Sequence, residues 1–246
     1  MANETGDMKL LGSFRRLIDR VKNDANYKPS NPALTAAAME AQHAAGLQAV
    51  QELTTHLGAG KVAVTERETL FGELKPRLTR VHNLVKSSGA APSVIEDLST
   101  FKRKLSGSRK EAKAKAEPAQ GPTAGAAPPV KERSAAQTSY ENQIGHLNGY
   151  LAVLENVAGY DPQEADLKLT ALQTLRDALQ NQNNAVSAAS VPVSQARGVR
   201  DELLYTGENS IVNTALMAKN YVSAAYGKSS QIYKDVAALR FVRPRA

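Results

Sequence analysis

Apolar positions along most of the chain recur with the period of an α-helix. Between Leu172 and Val193 the apolar residues are separated by three, four or seven residues, and between Leu70 and Val85 by three or four. This spacing places apolar side chains on one face of a helix. Alternation of apolar and polar residues, which marks a half-buried strand, nowhere extends beyond about four positions. The pattern therefore predicts an all-α protein.

The second half of the chain resembles the first half in a constant register. At this register Tyr27 and Pro29 coincide with Tyr160 and Pro162, and Arg67, Glu68 and Leu70 coincide with Arg200, Asp201 and Leu203, so the residue number increases by 133. Beyond residue 88 the shift becomes 138, which aligns Val94, Ile95 and Leu98 with Ile232, Tyr233 and Val236. A common register over most of each half indicates two copies of one ancestral unit.

Each copy is predicted to be an elongated bundle of about four helices, so that the fold is two tandem, pseudo-symmetric bundles. Ser30 or Asn31 can cap a helix in front of Pro32, and Pro162 stands near the equivalent place. Gly58 and Gly60 in the first copy, and Pro192 in the second, predict a turn inside each bundle. The expected helices are near 9–24, 31–57, 61–88 and 93–105, and near 135–158, 163–189, 192–226 and 229–240.

The net charge of +7 is concentrated in one short segment. Residues 102–133 hold nine basic and three acidic side chains, whereas the flanking regions are nearly balanced. From Ser106 onward this segment is rich in Lys, Ala and Pro and lacks apolar periodicity, so it cannot bury enough surface to offset its ordering entropy. We therefore expect three regions: repeat 1 (1–105), a flexible basic linker (106–133) and repeat 2 (134–246).

Several short stretches resemble a family of bacterial cytosolic proteins that carry the same duplication and have no characterised activity. The stretches are Asn31-Pro32-x-Leu34-Thr35, Leu169-Thr170-Ala171-Leu172, Arg200-Asp201-Glu202-Leu203-Leu204-Tyr205 and Lys219-Asn220-Tyr221-Val222. The resemblance covers most of the chain. It implies the helical fold but no chemistry.

Candidate residues for catalysis, for a cofactor or for a metal do not emerge from the sequence. The chain has no cysteine, which excludes disulfides and thiolate chemistry. Its histidines, His43, His56, His82 and His146, lack the spacing of metal ligands, and we expect them half-exposed on helix faces. The glycines of Gly58-Ala59-Gly60-Lys61 and Gly227-Lys228-Ser229 do not have phosphate-loop spacing, and we interpret them as glycines at helix C-termini. We therefore expect a protein that is not an enzyme.

The N-terminal residues lack the basic, apolar and small-residue blocks of a secretory signal, and no apolar run approaches the length of a membrane span. We expect a soluble, cytoplasmic protein without membrane contact.

The repeated pair of an arginine and a following carboxylate, Arg67-Glu68 and Arg200-Asp201, has two interpretations. It is either a duplicated interaction site or, as we prefer, an ion pair inside each bundle that common ancestry placed alike. Tyr27 and Tyr160 are expected to anchor a loop onto the bundle.

Two functional hypotheses remain. The first is a structural or protein–protein interaction protein, with self-assembly as one option, because the chain combines a duplication, an alanine-rich helix face and no recognisable chemistry. The alternative is sequence-nonspecific association with nucleic acid through the basic segment. The residues expected to contact nucleic acid or an acidic partner are Lys102, Arg103, Lys104, Arg109, Lys110, Lys113 and Lys115.

Overall fold

The computed structural model describes residues 4–107 and 139–243, and these ranges are helical without any strand. Their α-helices are Glu4–Lys22 (α1), Ala36–Ser87 (α2), Pro92–Ser106 (α3), Tyr140–Leu154 (α4), Leu169–Asp201 (α5), Ile211–Tyr226 (α6) and Gln231–Ala237 (α7). Short 3-10 helices cover Pro32–Leu34 and Ala165–Leu167, and a π-helical segment covers Glu202–Thr206. The prediction of an all-α protein is confirmed for the described residues.

Polar side chains define several helix ends. The hydroxyls of Ser139, Ser210 and Ser230 each accept a hydrogen bond from the amide three residues later, at the starts of α4, α6 and α7. Such caps satisfy amides that have no partner inside the helix. At the other end of α6, Gly227 adopts a φ of 74° and donates its N–H to the carbonyl of Ser223. The sequence-based interpretation of this glycine as a helix C-terminus is confirmed.

The predicted turns at Gly58–Gly60 and at Pro192 are wrong. The former glycines lie inside α2, which continues for 52 residues, and Pro192 lies inside α5. A glycine costs about 1 kcal/mol and a proline about 3 kcal/mol in a helix interior, and packing along helices of this length exceeds such penalties. In the second half of the chain, the helical structure that begins with α5 ends later than predicted, at Gly207 after the π-helical segment.

The chain folds into two compact units. The terminal unit combines Met1–Lys61 with Ala188–Ala246, and the central unit consists of Val62–Ser187. This grouping differs from the predicted repeats 1–105 and 134–246, because α2 and α5 each continue without a turn from one unit into the other. The expected linker, 106–133, lies almost wholly outside the described residues.

The core of the terminal unit is formed by α1, the beginning of α2, the end of α5, the π-helical segment, α6 and α7. Its fully buried side chains include Phe14, Leu17, Ile18, Met39, Leu204, Ile211 and Val222. Gly46 of α2 permits this close packing, because a Cβ atom there would lie 2.8 Å from Ile211 Cδ1.

The core of the central unit is formed by the end of α2, α3, α4 and the beginning of α5. Its buried side chains include Leu74, Leu78, Val81, Val85, Leu98, Leu147, Tyr150 and Leu172. Here the close approach is at Gly149 of α4, where a Cβ atom would lie 2.6 Å from Cζ of Phe101 on α3. Both units thus have a separate apolar core.

Equivalent loops precede α2 and α5. The hydroxyl of Tyr27 donates to the carbonyl of Leu34 at 2.9 Å, and the hydroxyl of Tyr160 donates to the carbonyl of Leu167 at 2.7 Å. Burial is the main reason that the pKa of each tyrosine is raised to about 12. Both phenols are therefore neutral donors near neutral pH, and each one anchors its loop.

Candidate functional site

A buried polar cluster joins α1 of the terminal unit to the end of α5. Arg200 Nη1 lies 2.7 Å from Asp7 Oδ2, and the hydroxyl of Tyr205 lies 2.5 Å from Asp7 Oδ1. The exposed fractions of Asp7, Arg200 and Tyr205 are 1%, 4% and 5%. A second carboxylate, that of Asp201, lies 2.8 Å from Arg200 Nε and is partly exposed. The arginine is therefore paired on both sides.

The partners of Arg200 favour its charged form. Burial opposes the charge on Arg200, but the hydrogen bond and the charge of Asp7 outweigh burial and raise the pKa of the guanidinium. Burial, and then Asp7, also raise the pKa of Tyr205. Tyr205 lies in the π-helical segment Glu202–Thr206, a helix form that often occurs at functional sites. The phenol that this segment carries, that of Tyr205, donates to Asp7.

The corresponding positions of the central unit carry a different contact. Tyr140 stands where the repeat register places the counterpart of Asp7, and the guanidinium carbon of Arg67 lies 3.9 Å from the centre of its ring. Arg67 Nη1 also donates to Asn183 Oδ1 at 3.1 Å, and Asn183 Nδ2 donates to Glu141 at 3.0 Å. The arginine at this register thus bridges helices in both units, by an ion pair in one and by a cation–π contact in the other.

This geometry favours the intra-bundle interpretation of the repeated arginines over an exposed interaction site. Arg200 pairs with the carboxylate that follows it, as expected. Among the described residues Arg67 does not pair with Glu68, and it contacts Tyr140 and Asn183 instead. Asp7, Tyr140 and Asn183, which are the partners closest to the two arginines, were not identified from the sequence. Each lies on a helix remote in sequence from its arginine, so no local pattern indicates them.

The expected contact residues lie partly on α3. Arg103 Nη2 donates to Thr100 Oγ1 at 2.9 Å and lies 3.5 Å from Glu96. Lys104 Nζ lies 5.7 Å from the centre of the Phe101 ring, and Lys102 is partly buried. The remaining candidates, Arg109, Lys110, Lys113 and Lys115, lie outside the described residues.

The structure adds two lysines of α2 that the sequence analysis did not select. Lys75 and Lys86 both lower the pKa of Lys102, although burial of Lys102 contributes more. His82, between them on α2, has its Nε2 atom 3.2 Å from Ser99 Oγ of α3. Lys75 and Lys86 of α2 and Lys102 of α3 are called the lysine patch below, and the charges of the first two act on the third. In the sequence, the intervals of four, three and four residues between positions 75, 79, 82 and 86 place Lys75 and Lys86 on one helix face, and this spacing could have identified them.

The histidines only partly match the expectation. His43, His56 and His146 are half-buried on helix faces as expected, but His82 is buried, with an exposed fraction of 4%. Burial is the main cause that lowers the pKa of His43, His82 and His146. Within the part of the chain that the structure describes, no group of three potential ligands could hold a metal ion.

Two hollows on the described surface have the size of a small-molecule site. One, of about 540 Å³, is lined by Val199, Glu202, Leu203, Gly207, Glu208 and Asn209 of the terminal unit. The other, of about 350 Å³, is lined by Thr65, Glu66, Thr69, Leu70, Glu73 and Gln182 of the central unit. Both are open to solvent rather than enclosed.

Among the residues described, none of the helices has the length and apolar character needed to cross a membrane. The lysine patch continues along α3 to Arg103 and Lys104 in the last turn of that helix. Comparisons with protein-family models, with curated proteins and with solved structures found no match for this chain.

Proposed function

We propose that this protein is a non-catalytic structural protein that acts through protein–protein contacts and self-association. The observation that carries the proposal is that one compact unit joins Met1–Lys61 to Ala188–Ala246, whereas the other consists of Val62–Ser187. In terms of the two repeats inferred from the sequence, each unit then combines the first half of one repeat with the second half of the other. A chain built in this way has the architecture of an exchanged dimer within one polypeptide.

Side-chain contacts that recur at the repeat register support a tandem duplication. Lys22 Nζ donates to Glu40 at 2.7 Å, and at the equivalent positions Gln173 Nε2 donates to Glu155 at 2.9 Å. Asn23 and Asn156 each donate to the carbonyl four residues before them. The starts of α2 and α5, at Ala36 and Leu169, are related by the same register. Local structure therefore repeats even where the side chains differ.

The exchange gives a route to self-association. Asp7 and Arg200 are separated by 193 residues, and Gln42 and the carbonyl of Asn209, which it contacts, by 167. The two halves of the terminal unit thus meet only after the chain has passed through the central unit. The second half of another copy presents the same residues, so pairing between chains buries the same surfaces as pairing within one chain.

Self-association is tested by mixing two forms of the full-length protein that carry different affinity tags. After unfolding in urea and joint refolding at high protein concentration, we expect both tags in one complex, and we expect light scattering to report dimers or larger species. A protein that refolds only to monomers at every concentration, with no complex carrying both tags, would contradict the proposal.

A second function, sequence-nonspecific association with nucleic acid, is favoured by a separate observation. The lysine patch lies in the central unit and adjoins, through α3, the basic segment that begins at Lys102. Attraction of this kind is strongest at low salt. Full-length protein that does not bind duplex DNA at about 50 mM salt would exclude this second function without affecting the first.

A further inference from the structure

The lysine patch begins on one face of α2. Lys75, Thr79, His82 and Lys86 follow one another at intervals of four, three and four residues, which places them along a single helix face. At a rise of 1.5 Å per residue the two lysines are separated by roughly 16 Å along the axis. His82 is buried between them, while Lys75 and Lys86 are exposed. The face therefore presents a cation at each end.

Helix α3 brings a third cation to this face. The contact of 3.2 Å between Ser99 Oγ and His82 Nε2 holds α3 against the middle of the α2 face. Lys102 lies about one turn of α3 beyond Ser99. Burial first, and then the charges of Lys86 and Lys75, lower the pKa of Lys102, in keeping with its position on the helix that packs against this face.

The three ammonium groups lack counter-ions among the described residues. None of them forms a salt bridge there. The neighbouring carboxylates are engaged elsewhere, since Glu73 pairs with Arg77 at 3.3 Å and Glu96 lies 3.5 Å from Arg103. Like charges that repel without a counter-ion are stabilised when a polyanion binds.

The surroundings of the patch distinguish between classes of polyanion. A membrane surface or a protein partner would use exposed apolar or aromatic anchors beside the lysines. The large exposed hydrophobic side chains of the described residues are Met8, Val62, Val191, Val199, Leu216 and Val242. None of these belongs to α3 or to the segment 75–86. The patch therefore offers charge without an apolar anchor, which suits a phosphate backbone.

We propose that Lys75, Lys86 and Lys102 form a binding site for the phosphate backbone of nucleic acid. The inference rests on the second function proposed above and assigns the binding to particular side chains of the central unit. Duplex DNA carries one charge per about 1.7 Å of axis, so a patch about 16 Å long faces several phosphates. The aromatic residue beside Lys102, Phe101, is partly buried and packs against Gly149 of α4, so the site offers no exposed ring for base stacking and reads no base sequence.

The test measures binding of full-length protein to a fluorescent duplex of about 20 base pairs, by anisotropy between about 50 and about 200 mM salt. The test variant is the triple change Lys75→Gln, Lys86→Gln and Lys102→Gln. The matched control is Lys28→Gln, Lys168→Gln and Lys234→Gln, which removes the same charge from exposed lysines elsewhere. A third variant neutralises Arg109, Lys110, Lys113 and Lys115 with glutamine. Circular dichroism and melting temperature confirm folding of each variant.

We expect the test variant to bind at least about tenfold more weakly at low salt, and its salt dependence to lose about 2.7 from the slope of log K against log salt. The control variant should lose much less affinity, although it lacks the same number of positive charges. If the test variant binds like the control while the third variant loses binding, the lysine patch is excluded and nucleic-acid association remains. If wild-type protein does not bind the duplex, both the lysine-patch proposal and the proposed association with nucleic acid are excluded. If polyglutamate competes as well as DNA does, the site belongs to an acidic protein and the inference is overturned.

Discussion

Arg200 and Asp7 form an ion pair that is 2.7 Å long and almost fully buried, although 193 residues separate them in the sequence. It joins α1 to the end of α5. At the equivalent positions of the central unit, Arg67 lies over the ring of Tyr140. Each unit therefore uses an arginine at the same register to connect its two halves, and the terminal unit depends on a buried charge to do so.

Replacing Asp7 by alanine should destabilise the protein by about 3–5 kcal/mol, because it leaves the buried guanidinium of Arg200 without its main partner. Asp201→Ala is the matched control. It removes a carboxylate from the same arginine at a half-exposed position, so it should cost at most about 1 kcal/mol. Urea unfolding measures the change in unfolding free energy for both variants. Adding Arg200→Met to Asp7→Ala should recover part of the loss, and equal costs for Asp7→Ala and Asp201→Ala would contradict this account.

Two glycines of α4 should respond to alanine in opposite directions. A Cβ atom at Gly149 would lie 2.6 Å from Cζ of Phe101, whereas nothing lies within 4 Å of a Cβ atom at Gly145. Gly149→Ala should therefore cost about 1–3 kcal/mol through overpacking. Gly145→Ala should stabilise the protein by about 0.5–1 kcal/mol, since alanine has the better helix propensity. The free energy of unfolding distinguishes them, and adding Phe101→Leu should relieve the cost at Gly149.

Replacing Pro76 by alanine should stabilise the protein by about 1–3 kcal/mol, because Pro76 is exposed and lies inside α2, where proline removes a helical hydrogen bond. Pro92, at the start of α3, provides the control, since proline is well tolerated there. Pro92→Ala should leave stability unchanged or slightly lower it. If Pro76→Ala gives no gain in thermal or urea unfolding, α2 does not continue through this position.

Stability should fall as the pH is lowered below about 6.5, the ordinary pKa of histidine. Burial lowers the pKa of His43, His82 and His146 in the folded chain. Between the two pKa values the unfolded chain binds more protons, so acid favours unfolding, and the loss is complete once the pH is below the folded values. His82→Gln should reduce the slope of unfolding free energy against pH between about 5.5 and 7. An unchanged slope would show that His82 contributes nothing to it.

Much of the local structure could be predicted from the sequence. The helical period, the cap at Asn31, the helix end at Gly227 and the loop tyrosines all depend on residues within a few positions of each other. Gly58, Gly60 and Pro192 misled the prediction because their penalties of about 1–3 kcal/mol are local, and packing over the length of α2 and α5 exceeds them. The lysine patch could not be predicted either, since it needs the contact between Ser99 and His82.

By itself the sequence determined that the chain is helical and where several of its helices begin or end, because these properties depend on neighbours along one chain. Only the tertiary structure decided which halves meet. The two predicted repeats carry similar apolar patterns, so the pattern alone allows either second half to complete either first half. Long-range contacts, such as those between Asp7 and Arg200 and between Arg67 and Asn183, show which parts of the chain pack together. An apolar pattern common to both halves of the chain does not contain this information.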